Sequence, residues 1–204
     1  DICHLRAQRQ SFRFAKLQTC GNDYIVLENF HGEITCPESL CVTFCDRHYG
    51  IGADGIVLIE GSNQADARIR LFKADGSEDP MSGNALRCVG KYLYDNGIAV
   101  REDLRLETDT GIRAVHLYTT NGKVTSASGD MGRALLNTAA LRFEIPEKSV
   151  VDYPVSIGGQ SFNVTCVDLG SPHCVVFCPR VDDVDVALLG PRFERAPYFR
   201  ERVN

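Results

Sequence analysis

The chain has 204 residues, which is enough for one large or two small domains. Hydrophobic residues make up 44% and charged residues 24%, proportions typical of a globular protein. Its net charge of −5 argues against a nucleic-acid partner, because phosphate binding requires a basic surface. No apolar run reaches membrane-spanning length, so we expect no membrane contact. Residues 1–10 lack the apolar core of a signal peptide, and we expect a tail over 1–11.

The first third of the chain is dominated by strand patterns. Alternating side chains over 12–17 and an apolar run over 24–27 predict a hairpin with a Gly-Asn turn. A helix follows over 37–44, with Pro37 at its start. Two further strands are predicted over 56–60 and 67–72.

The segment 83–96 is predicted to be the central helix. Its apolar side chains fall on one face, at Leu86, Val89 and Leu93. Ser82 is a favourable N-cap residue and Gly97 a favourable residue just after the helix. We therefore expect this face to be buried against a curved sheet.

Short strands separated by turn residues make up most of the remainder. They are predicted over 104–108, 113–119, 124–128, 155–157, 162–167 and, as a buried strand, 174–178. Many short strands around few helices indicate an α+β fold. The glycine-rich loop over 50–55 precedes a strand instead of opening a helix, so it is not a dinucleotide-binding fingerprint.

Nine cysteines are a high count for this length. The number is odd and several lie within apolar runs, which favours buried reduced thiols over a disulfide framework. No CxxC pair occurs, so a zinc site is not expected.

The residues Ser82, Gly83 and Asn84 open the central helix and follow a polar turn. Free amides at a helix start, together with the helix dipole, bind anions, and a thiol there would have its pKa lowered from about 8.5. The segment is therefore a candidate carboxylate site beside a proton-transfer group. An ordinary capped helix, with Ser82 as its N-cap, is the alternative.

Six ordered motifs resemble those of diaminopimelate epimerases: GNDY at 21–24, RHYGIGADG at 47–55, FKADGSE at 72–78, MSGNALRC at 81–88, GSPHCVVF at 170–177 and FRERVN at 199–204. The resemblance implies two pseudo-symmetric halves, each with strands wrapped around a central helix, and an active site between them. The expected domains are 12–130 and a partial second one over 131–204. The resemblance also implies a cytoplasmic isomerase that needs neither PLP nor a metal, acts in lysine and peptidoglycan precursor biosynthesis, and forms a homodimer.

In that family two thiols act on the α-carbon of an amino acid, one removing the proton and the other donating one on the opposite face. By position, Ser82 replaces the first catalytic cysteine, and Gly83 and Asn84 match residues that bind the α-carboxylate. Further substrate-binding positions, and a histidine that tunes the thiols, correspond to Asn22, Asn204 and His173. Cys88 also matches a family position, but it lies well inside the helix and is expected in the core.

The chain departs from the family pattern at several positions. A serine hydroxyl at 82 is a much weaker base than a thiolate, and no cysteine here begins a second Cys-Gly-Ser/Thr-Gly helix. Lys73 and Ser171 stand where the family usually has asparagines that read the distal end of the substrate, and Gly55 where some members have Gln. We therefore expect this copy to be inactive as given.

Three alternatives remain open. The first is a racemase of another amino acid such as histidine, suggested by Lys73 and Ser171. The second is a dehydratase of hydroxyamino acids, since exchanging one base for a hydroxyl can favour elimination. The third is a non-catalytic amino-acid-binding paralogue, which would keep Gly83 and Asn84 but need no thiols.

Overall fold

A mixed sheet of eight strands forms most of the first of two compact units, which divide between Asp130 and Met131. The computed structural model describes residues 11–138, 143, 148–169, 171–199 and 202–204, so the predicted tail over 1–11 lies outside it except for Ser11. The strands are β1 Phe14–Thr19, β2 Asn22–Glu28, β3 Gly55–Glu60, β4 Ala67–Lys73, β5 Glu78–Asp79, β6 Asp103–Thr108, β7 Gly111–Thr120 and β8 Lys123–Gly129. Their order is β1-β2-β3-β4-β6-β7-β8, with β5 paired to β4.

The β1–β2 hairpin turns one residue earlier than the sequence suggested. Thr19 pairs with Asn22, so the two-residue loop is Cys20-Gly21, and the predicted Gly-Asn turn is wrong. Both loop residues have positive φ, 52° and 91°. A two-residue loop with positive φ at both positions matches the right-handed twist of the strands, and glycine adopts it without strain. Asn22 therefore begins a strand.

The sheet is covered on both faces near β2 and β3. Tyr24 and Val26 belong to a core with helix α2 (Gly83–Asp95), whereas Ile25 and Leu27 belong to a core with helix α1 (Pro37–Cys45). Because successive strand residues point to opposite faces, a doubly covered strand has a continuous apolar sequence instead of an alternating one.

Helix α2 confirms the prediction for the central helix. Ser82 is its N-cap and Gly97, just after it, has φ 73°. Its apolar face, Leu86, Val89 and Leu93, is completely buried. Each such side chain contributes about 1.5–3 kcal/mol when removed from water. β1 and β8 stand at opposite ends of the strand order and both contact α2, so the sheet curves around the helix.

The second unit contains a three-stranded antiparallel sheet in the order β11-β10-β9. Its elements are β9 Tyr153–Ile157, β10 Gln160–Asp168, β11 Pro172–Val175, a 3₁₀ turn Val181–Asp183 and helix α3 Val186–Glu194. A small core includes Val164 and Cys166.

One expectation for the second unit needs correction, and one helix was not predicted. The buried strand predicted over 174–178 is wrong: pairing with β10 ends at Val175, and Phe177 is 85% exposed. An apolar run indicates a strand but not where its partner strand stops. Helix α3 was missed because it contains Pro191 and has no buried residue to create an apolar stripe.

The eight cysteines among the described residues are free thiols, as expected from their number and context. Cys41, Cys45, Cys88 and Cys166 are buried, whereas Cys20 and Cys178 are exposed. Cys3 lies outside the described residues. Within the described part of the chain, no helix combines the length and apolar character needed to cross a membrane.

Candidate active site at the start of α2

Ser82 lies at the junction between an extended segment and α2. Its backbone is extended, with φ −137° and ψ 124°, and its Oγ accepts a hydrogen bond from the amide of Ala85 at 3.3 Å. The hydroxyl of Tyr24 lies 3.1 Å from the same oxygen. Burial raises the pKa of Tyr24, so its hydroxyl stays protonated at neutral pH and can donate to Ser82.

Of the first four backbone amides after Ser82, two are bonded within the helix start and two are available as donors. The amide of Leu86 is bonded to the carbonyl of Ser82, and the amide of Ala85 to its side chain. Helix geometry leaves the amides of Gly83 and Asn84 without an intrahelical acceptor. The positive end of the helix dipole adds to their attraction for an anion such as a carboxylate.

A chain of polar side chains borders this helix start. The amide nitrogen of Asn84 donates to the side-chain oxygen of Asn22 at 2.6 Å, and Asn22 donates to a carboxylate oxygen of Asp54 at 3.1 Å. The guanidinium of Arg87 donates to the side-chain oxygen of Asn84. The bond from Arg87 fixes the side-chain oxygen of Asn84, so the amide hydrogens of Asn84 face Asn22. The structure thus brings together two of the predicted substrate-binding residues.

An ion-pair cluster holds the β1–β2 hairpin close to this site. Arg47 contacts Asp23 at 2.7 Å and Asp54 at 2.9 Å. The hydrogen bond from Arg47 holds the pKa of Asp23 well below its usual range, more than offsetting partial burial. The amide of Asp54 also donates to Asp23. The cluster fixes Asn22, which lies next to Asp23, relative to the loop that carries Asp54.

Lys73 contacts the segment that leads into Ser82. It is the last residue of β4 and is exposed. Its Nζ lies 3.5 Å from Oδ2 of Asp79, and Oδ1 of the same carboxylate accepts a hydrogen bond from the amide of Met81 at 3.3 Å. A charged pair therefore stands at the position expected for an asparagine amide.

The second unit groups three other predicted residues. The hydroxyl of Ser171 lies 3.2 Å from Nε2 of His173. The backbone of Asn204 runs beside β11, donating to the carbonyl of Pro172 at 3.0 Å and accepting from the amide of Cys174 at 2.8 Å. The predicted site residues therefore form one set in each unit.

The thiol within α2 is not suited to proton transfer. Cys88 is buried, as expected, and burial raises the pKa of its thiol to about 11. Only a small fraction is ionised near neutral pH, so it is a poor base.

Three polar neighbours were not singled out from the sequence: Tyr24, Asp54 and Arg87. Each lies inside one of the motifs that carry the resemblance. Their polar character within these motifs was the signal that could have identified them. The residues they contact are far away in sequence, however, and Tyr24 and Ser82 are 58 positions apart.

Two further observations concern other kinds of site. A cleft of about 530 Å³ lies elsewhere in the first unit, lined among others by Asp66, Arg101 and His116, and it contains none of the predicted site residues. In the ranges that the structure describes, no three His, Cys, Asp or Glu side chains are grouped to hold a metal ion.

Comparison with known proteins gives the same family from several directions. Residues 14–135 match the family model for diaminopimelate epimerase. The chain is 44% identical over 200 residues to the diaminopimelate epimerase of Desulfovibrio desulfuricans, covering 95% of this chain and 70% of the relative. It is 36% identical over 192 residues to that of Methanococcus maripaludis, covering 94% and 69%.

Solved structures show the same α+β architecture. A probable proline racemase from Agrobacterium radiobacter K84, with bound carbonate, aligns with TM-score 0.60 at 16% identity and covers 91% of this chain. A hydroxyproline epimerase from Agrobacterium vitis, with bound trans-4-hydroxy-L-proline, aligns with TM-score 0.57 at 16% identity over 89% of this chain. This chain spans 55% and 54% of those two chains. The likeness confirms the predicted fold class.

Proposed function

The chain belongs to the diaminopimelate epimerase family of isomerases, and from this premise we propose that it binds diaminopimelate with the α-carboxylate at the start of α2. The observation that carries the proposal is the position of Gly83 and Asn84, whose amides have no intrahelical acceptor, directly after the N-cap Ser82. The reaction for which the site is built is the interconversion of LL- and meso-diaminopimelate by two-base proton transfer, without PLP or metal, and it requires a proton-transferring thiol at position 82. Cytoplasmic lysine and peptidoglycan precursor biosynthesis is the proposed context of the protein, and a homodimer its proposed assembly.

Within this proposal each described side chain has a role. Asn22 and Asn84 donate amide hydrogens to the substrate, and Arg87 holds Asn84 in place for it. Ser82 stands at the position of the proton-transferring thiol. His173, Ser171 and Asn204 belong to a second set of contacts, carried by the domain over 131–204, while 12–130 is the domain of the first set.

The residue at position 82 determines whether the site can transfer the α-proton of the substrate. A serine hydroxyl is almost entirely protonated at neutral pH, whereas a thiol at a helix start is substantially ionised. The bond from the Ala85 amide and the neighbouring Tyr24 hydroxyl occupy the Ser82 oxygen without supplying a base. We therefore expect the chain to bind substrate but not to epimerise it.

Exchange of the substrate α-proton with solvent tests the proposal. The chain and its Ser82→Cys variant are incubated in deuterium oxide with diaminopimelate and followed by proton NMR. General-base catalysis is worth about 10²–10⁴ in rate, so Ser82→Cys should create exchange that the parent chain lacks. Ser126→Cys, which adds a thiol at an exposed position of β8, is the matched control and should not. Equal exchange by the parent chain and Ser82→Cys would show that position 82 transfers no proton.

The charged pair of Lys73 and Asp79 supports one alternative substrate class. It replaces the amide expected at the distal end of the substrate with a cation and a carboxylate 3.5 Å apart. A side chain such as that of histidine could bond to either group. If Ser82→Cys exchanged the α-proton of histidine but not of diaminopimelate, the substrate would be reassigned; binding without exchange in every variant would support an amino-acid-binding paralogue.

A further inference from the structure

Cys166 and Cys174 lie directly opposite one another on β10 and β11. Cys166 is completely buried in the core of the second unit, whereas Cys174 is half-buried. Neither thiol has a part in the proposed epimerase chemistry. Their cross-strand position nevertheless restricts how the two sulfur atoms can approach each other.

The backbone hydrogen bonds define the type of this cross-strand pair. The amide of Cys174 donates away from β10, to the carbonyl of Asn204 at 2.8 Å, and the amide of Cys166 donates away from β11, to the carbonyl of Val150 at 3.0 Å. They therefore form a non-hydrogen-bonded pair, the kind in which Cα atoms are about 4.5 Å apart and side chains are closest. That spacing falls within the range of about 4.4–6.8 Å that a disulfide spans.

The two thiols also differ in reactivity. A hydrogen bond from Cys166 lowers the pKa of the Cys174 thiol, and the same contact together with burial raises the pKa of Cys166. The more acidic thiol is also the one that solvent can reach. Cys174 is thus suited to attack an external reagent, and Cys166 to attack second.

We propose that Cys166 and Cys174 are a redox-active dithiol that a soluble disulfide of the glutathione class converts to a cross-strand disulfide. The Cys174 thiolate attacks one sulfur of the reagent, forming a mixed disulfide and releasing one small thiolate. Cys166 then attacks the Cys174 sulfur and gives up its proton to the second small thiolate, which leaves as a thiol. Two protein thiols are oxidised, and one small disulfide is reduced to two thiols.

The new bond would join β11 covalently to β10 beside two predicted site residues. His173 precedes Cys174 on β11, and the backbone of Asn204 is bonded to Cys174 itself. Oxidation therefore fixes the strand that carries the second set of site residues. The proposed dithiol chemistry does not depend on the proposed function.

Peptide mapping of the chain of 204 residues tests the proposal. The protein is incubated with oxidised glutathione, remaining thiols are blocked with N-ethylmaleimide, and trypsin plus Asp-N separates the cysteines into fragments 152–167 and 168–180. We expect these two fragments to be linked, with the mass of their sum less two hydrogens plus one N-ethylmaleimide on Cys178, and to be separated by dithiothreitol. If Cys166 and Cys174 both carry N-ethylmaleimide after oxidation, the proposal is wrong.

Three variants establish the order of the steps. Cys166→Ser should stop at a stable glutathione adduct on Cys174, and Cys174→Ser should form neither adduct at 166 nor link. Cys178→Ser is the matched control, because Cys178 lies exposed in the same fragment, and its link should persist. Loss of the link in Cys178→Ser would assign the partner to Cys178. If a core variant fails to fold, the wild-type protein still decides the question, because fragmentation of the linked peptides shows whether N-ethylmaleimide lies on Cys178 or on Cys174.

A second thiol pair serves as an internal comparison. Cys41 and Cys45 lie 3.6 Å apart on α1, but both are buried and Cys41 also donates to the carbonyl of Lys73 at 2.9 Å. A reagent in solution cannot reach either sulfur, so this pair should stay reduced under the same conditions. Oxidation of both pairs at equal rates would indicate unfolding and overturn the proposed selectivity.

Discussion

The phenolic oxygen of Tyr24 lies 3.1 Å from the hydroxyl oxygen of Ser82, although the two residues are 58 positions apart in sequence. Tyr24 is buried within the core that α2 covers, and its hydroxyl is the group that points to the helix start. The N-cap side chain is therefore oriented from two directions, by the Ala85 amide and by Tyr24.

Tyr24 should control the acidity of a thiol placed at position 82. In Ser82→Cys, the helix start and a hydrogen bond from the neutral phenol both stabilise the thiolate, so we expect a pKa below about 8.5. Adding Tyr24→Phe removes the phenol donor and should raise that pKa again. The measurement is the pH dependence of alkylation at position 82, read by mass spectrometry. Tyr92→Phe, which loses a hydroxyl bonded to Glu28, is the control; an equal shift there would contradict a direct role for Tyr24.

Asn22 and Asn84 should act as a coupled pair in ligand binding. Their side chains are 2.6 Å apart, so removing either amide also frees the other to turn away. We expect Asn22→Ala or Asn84→Ala to weaken diaminopimelate binding about tenfold, equivalent to about 1.4 kcal/mol, and the double variant to lose less than the sum. Isothermal titration measures these affinities, and Asn163→Ala, at an exposed position of β10, is the control. Additive losses would mean that the two side chains act separately.

Acid should reduce stability through Asp23. Arg47 lowers the pKa of this carboxyl in the folded protein, so its contribution is present above the unfolded pKa of about 3.9 and is lost as pH falls below it. The gap in urea midpoint between wild type and Arg47→Gln should therefore be constant above about pH 5 and shrink below about pH 4. Arg202→Gln breaks an exposed pair with Glu194 and should show a smaller gap. A gap that widens in acid would refute this assignment.

Gly90 should tolerate no side chain. A Cβ there would lie 2.9 Å from Cγ1 of Val115 and 3.0 Å from Cδ2 of Leu117, where α2 approaches β7. Overpacking of this kind destabilises by about 1–3 kcal/mol, against a gain of about 1 kcal/mol in helix propensity. We expect Gly90→Ala to lower the urea midpoint, whereas Gly61→Ala, with no atom within 4 Å of the added carbon, should not. Equal midpoints would show that β7 moves freely away from the helix.

The sequence predicted those parts of the site that are local. Ser82, the apolar face of α2 and the glycine after it follow from spacing within one helix, and they were found where expected. The bond between Asn22 and Asn84 joins residues 62 positions apart, so no local pattern contains it. The short strand at 172–175 was overestimated for a related reason, since an apolar run does not reveal where a partner strand ends.

The curvature of the sheet around α2 also has a kinetic consequence. β1 and β8, which both contact the helix, are separated by most of the first unit, and β4 pairs in parallel with β6 across the whole of α2. Such distant contacts require large loops to close before any burial stabilises them. The first unit should therefore fold slowly for its size. On a ribosome, α2 can be enclosed only after β7 and β8 have emerged, which leaves the apolar strands β2 and β3 accessible to chaperones during synthesis.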